Sequence, residues 1–394
     1  MRVFSSKEKQ FILDHQRQDP ASLMLQTNRY PDLPMVELVQ QIQARQKAAA
    51  KLPTFVQNPD VIFPVSLSVE QSSSETTAAY KASLIEGEML IDLTGGFGID
   101  TFHFARHFAQ VVHVEQNEAL SEIATYNFKL LQASNIKTVN TSAEEFLELF
   151  TGKADVIYLD PARRGNHDEK LHLLKDCQPD VLGLLPILLS KANAVLLKTS
   201  PMLDIDLALE QLGSVVKLWV LAVQNEVKEV LYLLRSNAPT PDQVEQVAVN
   251  LLPGKEQVLE FTRAAEELAK PFFTDPQQFI YEPNAAILKA GAYKYLGQHL
   301  GINKLHPNSH LYTLEQELQD FPGRAFRCMS TSRYNKKELL RLLPQKKANI
   351  TVRNFPDSVA DIRKKTGIKE GGDYYLFFTT DMHQKPVVLH CQKI

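Results

Sequence analysis

The stretch "LIDLTGGFGIDTFHFA", residues 90–105, decides the fold. A short apolar strand runs straight into glycines at positions 95, 96 and 98, and a helical pattern free of glycine begins at Ile99. Glycine reaches positive φ at no steric cost and lets another molecule approach main chain where a Cβ would collide. The helix that follows aims its first amides at the same place. Such a strand–turn–helix unit opens a doubly wound sheet that takes a nucleotide at the carboxyl end of its first strand. A dinucleotide is disfavoured, because a GxGxxG frame starting at Gly96 puts Thr101 where the third glycine must let helix and strand pack closely.

Working outward, helical "TTAAYKASLI" precedes the strand at 89–93, and a helix over 99–109 leads to the strand "VVHVE" at 111–115. A helix over 118–133, a short strand near "KTVN", the helix "AEEFLELF" and the strand "DVIYLD" at 155–160 follow. After them come a helical "VLGLLPILLSKA", the strand "AVLLK" at 194–198, a helix near 204–212, and two strands, "VVKLWVLAV" and "EVLYLLR", close enough to be a hairpin. Strands that alternate with helices and are apolar on both faces predict an α/β fold with a doubly wound, mainly parallel, seven-stranded Rossmann-like sheet over residues 76–240. Residues 1–75 read as an N-terminal helical module that ends in an extended, serine-rich connector, "VIFPVSLSVEQSSSE". Residues 241–279 form a connecting segment with two strand-like runs around Pro253-Gly254, and smaller α+β pieces cover 280–322 and 323–394.

Composition bounds the rest. The chain has 394 residues, 44% of them hydrophobic and 23% charged, with a polar, charged N-terminus and no long apolar run, so secretion and membrane insertion are not expected. Three scattered cysteines, Cys177, Cys328 and Cys391, support neither a disulfide framework nor a zinc site, and no metal is expected; a reducing cytoplasm fits. His103, His107 and His113 lie within the sheet layer and read as structural. The net charge of −3 hides an asymmetry: residues 323–369 hold 13 of the 43 Lys/Arg but 3 of the 46 Asp/Glu. A regional basic excess interleaved with Tyr334 and Phe355 is a candidate polyanion-binding face. Its candidate contacts are Arg324, Arg327, Arg333, Lys336, Lys337, Lys346, Lys347, Arg363, Lys364 and Lys365.

Asp92, at the tip of the first strand, carries a charge that suits a cationic ligand and would repel a pyrophosphate; with Thr94, Gly95, Gly96, Phe97 and Gly98 it forms the candidate ligand turn. Glu115, with Gln116 after it, stands at the tip of the second strand, where a carboxylate accepts hydrogen bonds from both hydroxyls of a ribose. Ser142, Ala143 and Glu144 follow the third strand. They read equally as an adenine contact and as a helix N-cap. In "DVIYLDPARRG", residues 155–165, a buried strand ends in Asp160-Pro161; proline keeps the chain extended there and leaves carbonyls free at the crevice.

Over roughly residues 76–235 this order of motifs resembles the class I S-adenosylmethionine-dependent methyltransferases, whose fourth strand carries an (Asp/Asn/Ser)-Pro-Pro-aromatic loop at the transfer point. The resemblance implies S-adenosylmethionine as cofactor, its amino-acid end held by Asp92, Thr94, Gly96 and Gly98 and its ribose by Glu115. Ala162-Arg163-Arg164 replaces the aromatic position, which argues against methylation of an exocyclic amine. Carbon-5 uridine methyltransferases carry Asp-Pro-Pro-Arg at this place and a nucleophilic cysteine after the fifth strand. The matching "LLKTSPMLDI" offers Lys198, Thr199 and Ser200 and no thiol. Direct in-line transfer is therefore the expected mechanism. Asp160 would orient or deprotonate the acceptor at the Pro161 loop. Lys198 would face the same crevice, and Arg163 or Arg164 would anchor a substrate phosphate or carbonyl or else pair with acids of the chain.

"RQKAAAKLP", "SSSETTAAYKA", "KTSPMLDI", "NEVKEVLYLL", "YEPNAAILKAG", "FPGR" and "IKEGGDYYLFFTT" together resemble a bacterial methyltransferase family with a ferredoxin-like piece and a C-terminal THUMP-like domain. That resemblance implies RNA as the partner, tRNA ahead of rRNA. Two other classes stay open: a methyltransferase acting on protein or a small molecule, and a non-catalytic protein that binds S-adenosylmethionine or RNA.

Overall fold

The computed structural model describes residues 2–163, 174–343 and 345–394. Compact clustering divides the chain into two units: residues 1–215 with 231–238, and residues 216–230 with 239–394.

In the first unit five parallel strands form, β1 (Gly87–Asp92), β2 (Phe108–Val114), β3 (Ile136–Val139), β4 (Ala154–Leu159) and β5 (Ala192–Thr199). They pair in the order β3-β2-β1-β4-β5. β1 lies at the middle, where the order reverses, so loops after β1, β2 and β4 open at one edge. The helix after the glycine turn, α1 (Ile99–Phe104), is shorter than the expected 99–109, because β2 already starts at Phe108. Strands β6 (Val215–Val223) and β7 (Glu226–Leu234) flank a two-residue turn, Gln224-Asn225, with φ of 50° and 67°, the conformation that matches strand twist in a hairpin.

All seven expected strands are present, and the connecting segment supplies two more. β8 (Glu245–Leu252) pairs in parallel with β6, and β9 (Lys255–Thr262) returns antiparallel to β8 around Gly254, whose φ is 71°. The connecting segment is sheet because "QVAVNLL" is apolar on both faces and needs cover on both.

The N-terminal helices include Ser6–His15, opened by a Ser5–Glu8 capping box, and Met35–Ala48. Phe11, Ile12, Leu23, Met35, Leu38, Val39 and Ile42 make their core. Ala48, Leu52, Phe55 and Phe63 pack in a second cluster with Ala78, Phe97 and Ile99, so the module grips the underside of the glycine turn. The connector predicted as extended contains the helix Ser66–Gln71, followed by α2 (Glu75–Ser83) with Ser74 as its N-cap.

In the second unit a separate seven-stranded sheet is built from both C-terminal pieces. Its strand Phe279–Pro283 pairs antiparallel with Gly323–Ser332, which continues to Pro386–Lys393, Tyr374–Thr380 and Asn349–Val352. Leu339, Ile362, Leu376, Phe378 and Val388 form a core beneath the helices Lys336–Leu342 and Val359–Thr366.

Candidate functional site

Register aligns Asp92 of β1 with His113 of β2 and Tyr158 of β4, so the residues that follow each strand meet at one edge. Glu115 lies beside the glycine turn: its Oε2 accepts the Gly96 N–H at 2.7 Å and its Oε1 the Asn117 N–H at 2.7 Å. Gly96 has φ of 55°, and a Cβ there would meet nothing nearer than the Thr94 carbonyl at 3.8 Å. Bare main chain beside a half-buried carboxylate fits an adenosyl ligand.

The other two glycines have internal reasons. A Cβ on Gly95 would fall within 2.7 Å of His113 Nε2 and nearer still to its Nδ1 and Cε1; one on Gly98, where φ is 86°, would meet Phe128 Cε1 at 2.9 Å. Asp92 also turns inward. It is 1% exposed, and it accepts the Thr94 N–H at 3.0 Å and the Thr101 hydroxyl at 2.6 Å, which itself lies 2.9 Å from His113 Nδ1. Burial pushes Asp92 up to about 7 and His113 down to about 3. Asp92 therefore organises the turn from below, where the sequence predicted direct contact with the ligand. Phe97 is corrected likewise: its ring is in the apolar cluster with Phe55 and Phe63, since an aromatic ring beside a helical module finds more cover there than in a crevice.

At the third strand, Ser142 accepts the Glu145 N–H at 3.1 Å and caps the helix Ala143–Leu149; Ala143 is buried, while Glu144 and Gln116 are exposed. Of the two readings of this run, the cap is formed.

At β4 the Asp160 N–H donates to Thr94 Oγ1 at 2.6 Å, tying the Asp160-Pro161 loop to the glycine turn, and the Asp160 carboxylate pairs with Lys198 at the end of β5. Arg163 is in a two-residue strand; its side chain, and Arg164 altogether, lie outside the described residues. That strand pairs antiparallel with Cys177-Gln178, with Arg163 opposite Cys177. Cys177 is partly exposed and shares the ribbon that leaves the Asp160 loop.

Behind Lys198 is a polar cluster that the sequence did not reveal. Lys81 of α2 is fully buried and ion-paired to Asp100 at 3.1 Å; Ser73 and Tyr158 donate to Asp100 at 2.8 and 2.9 Å. The "SSSETTAAYKA" segment carries two of these groups.

In the second unit the basic side chains divide. Arg324 pairs with buried Glu282, as does Arg353; Arg363 donates to the Ile368 and Ala348 carbonyls; Lys365 pairs with Asp357. These contacts correct Arg324 and Arg363 from free phosphate ligands to internal ties, Arg324 because buried Glu282 draws cations to it and Arg363 because it lies against open carbonyls; Lys365 stays exposed beside Asp357. Arg327 sits over the Phe279 ring at 5.6 Å, its residue exposed. Arg333, Lys336, Lys337, Lys346, Lys347 and Lys364 are exposed. Among the described residues no His/Cys/Asp/Glu group is placed to hold a metal, and no helix is long and apolar enough to cross a membrane.

Comparison with known proteins fits this geometry. A ferredoxin-like domain family matches residues 279–322 and a THUMP domain-like family residues 323–393. A crystal structure from Porphyromonas gingivalis W83, of a protein provisionally described as a methyltransferase, is 34% identical and covers 100% of both chains with a TM-score of 0.89. Among curated proteins, the tRNA/tmRNA (uracil-C(5))-methyltransferase of Neisseria meningitidis serogroup B is 27% identical over 161 residues, 32% of this chain and 44% of that protein. The enzyme of the same description from Acinetobacter baylyi is 30% identical over 118 residues, 24% of this chain and 33% of its own. The chain thus spans less than half the length of these curated relatives.

Proposed function

This chain belongs to the family of the Porphyromonas gingivalis protein, and from that premise we propose that it is an S-adenosylmethionine-dependent RNA methyltransferase acting on tRNA ahead of rRNA. The observation that carries the reading is the shared edge: Glu115 with the Gly96 amide on one side, Asp160 with Lys198 on the other, and Thr94 joining the two. Gly96 and Glu115 would hold the adenosyl group and its ribose. When bound, S-adenosylmethionine supplies a methyl group already activated by its sulfonium. The chain's share is then to place the acceptor in line and manage its proton. Asp160, 32% exposed at the mouth, is the group to orient or deprotonate an acceptor nitrogen or oxygen, and Lys198 holds that carboxylate in place. The Pro161 carbonyl and Arg163 or Arg164 would set the substrate. The exposed cations of the second unit supply an RNA-phosphate surface, in keeping with the tRNA enzymes among the relatives. The test is incubation of the protein and labelled S-adenosylmethionine with total RNA from a strain lacking it, followed by nucleoside mass spectrometry; a cell lacking the protein whose RNA accepts no methyl group refutes the reading.

A second reading has its own support: carbon-5 methylation of uracil with Cys177 as the nucleophile, favoured by the pairing of Cys177 with Arg163 and by the relatives' described activity. A 5-methyluridine product lost in Cys177→Ala selects it over direct transfer.

A further inference from the structure

The segment before the glycine turn, "SSSETTAAYKA", is not accounted for by cofactor or RNA contacts, yet it sends two side chains beneath the candidate transfer site. Ser73 Oγ donates to Asp100 Oδ2 at 2.8 Å and accepts from Lys81 Nζ at 2.9 Å and Lys198 Nζ at 3.4 Å. One proton and two lone pairs are the whole capacity of a hydroxyl, so Ser73 is saturated by these three partners. Through it the charges alternate: Lys81 cation, Asp100 anion, Lys198 cation, and Asp160 anion at the crevice. Tyr158 of β4 donates to the same Asp100 oxygen as Ser73.

A buried ion pair is weak support for stability in its own right, since packed apolar side chains of the same volume serve as well or better. Lys81 and Asp100 instead set the electrostatic field around Lys198. Burial alone would raise the Asp100 carboxyl, but Lys81 and then Lys198 outweigh it and hold it below the usual carboxylate range. Asp100 therefore stays an anion. Lys198, its side chain 12% exposed, has a fixed negative partner behind it whatever the protonation of Asp160 in front.

Resting on the methyltransferase reading, we propose that Ser73, Lys81 and Asp100 are positioning residues that hold Lys198, and through it Asp160, at the transfer site. Ser73 is the joint, because its hydroxyl touches both lysines and Asp100. When Asp160 takes the acceptor's proton as the methyl group leaves sulfur for the acceptor lone pair, the Asp100 anion shared with Lys81 remains behind Lys198, and the lysine keeps a hydrogen-bond partner in Ser73.

The test uses the full-length chain with Ser73→Ala, Ser73→Thr, Lys198→Met and the double variant Ser73→Ala/Lys198→Met. Ser73→Ala should lower kcat about 10-fold or more with KM for S-adenosylmethionine and RNA within about two-fold, Ser73→Thr should restore most of it, and Ser73→Ala should cost nothing further in the Lys198→Met background. An unchanged kcat in Ser73→Ala, or losses that multiply in the double variant, overturns the proposal. Acylation of the Lys198 amine by an amine-reactive reagent, read by mass spectrometry, needs no turnover: Ser73→Ala should speed it about five-fold or more. If the parent transfers no methyl group but the amine still responds, the methyltransferase reading fails while the positioning stands; if the amine does not respond, the positioning fails whatever the activity.

Discussion

The inward-facing Asp92 makes a prediction about pH. In the unfolded chain its carboxyl titrates near its ordinary value of 3.8, while in the fold, 1% exposed, burial moves it up to about 7. Below the lower value both states hold the proton and the group contributes no pH dependence. Between the two values the folded state keeps a proton that the unfolded state has released, so stability falls as pH rises across that window and levels off above about 7. At about 1.4 kcal/mol per pH unit the loss amounts to about 4 kcal/mol. Asp92→Asn should remove it. An amide fits the same partners: its oxygen accepts the Thr94 N–H, its NH₂ donates to Thr101 Oγ1, and the threonine hydroxyl turns to His113 Nδ1, which burial keeps neutral. The assay is urea unfolding of parent and variant at pH 5 and pH 8, followed by hydrogen-exchange mass spectrometry of the strand at residues 87–92, which isolates this unit from the rest of the chain. The variant should gain on the parent by about 3 kcal/mol between the two pH values, since pH 5 to about 7 is the part of the window they cross. A difference that stays flat to within about 0.5 kcal/mol would mean that Asp92 is ionised throughout, and the reasoning from burial would be refuted.

Gly95→Ala should destabilise the first unit by about 1–3 kcal/mol and weaken S-adenosylmethionine binding, because the new methyl group overlaps His113; thermal unfolding and calorimetry check both. Lys198→Met should cut the methyl-transfer rate about 100-fold while calorimetry finds cofactor affinity within about three-fold, since Lys198 touches Asp160 and not the Gly96–Glu115 side. Lys336→Gln and Lys337→Gln, on an exposed helix start, should each lower the slope of log affinity for RNA against log salt by about 0.7–0.9 and leave cofactor binding unchanged. Cys177→Ala should retain activity within about three-fold if transfer is direct; complete loss selects the nucleophilic route.

Much of the frame is legible in the chain because its signals are local. The glycine turn, the strands that end at or one residue before Asp92, Glu115 and Asp160, and the closing pair of strands follow from short-range periodicity and turn chemistry, although β7 starts at Glu226, three residues ahead of the expected strand. The connecting segment is less legible: Pro253-Gly254 announces a turn, but the parallel pairing of β8 with β6 depends on a partner about thirty residues upstream that no local pattern marks. The serine-rich connector is helical where its pattern predicts extended chain, since polar serines there cap and start short helices once the module packs.

By itself the sequence determined where main chain is bare, where acids sit at strand ends, and which region is basic, because backbone conformation and charge count are properties of neighbouring residues. Only the tertiary structure decided which way those side chains face. Asp92 and Phe97 turn inward, Arg324 and Arg363 are spent on internal partners, and Ser73 meets Lys198 across 125 positions of chain. Direction and partnership are settled by what else is buried at the same point, and burial exists only after the strands have been brought side by side.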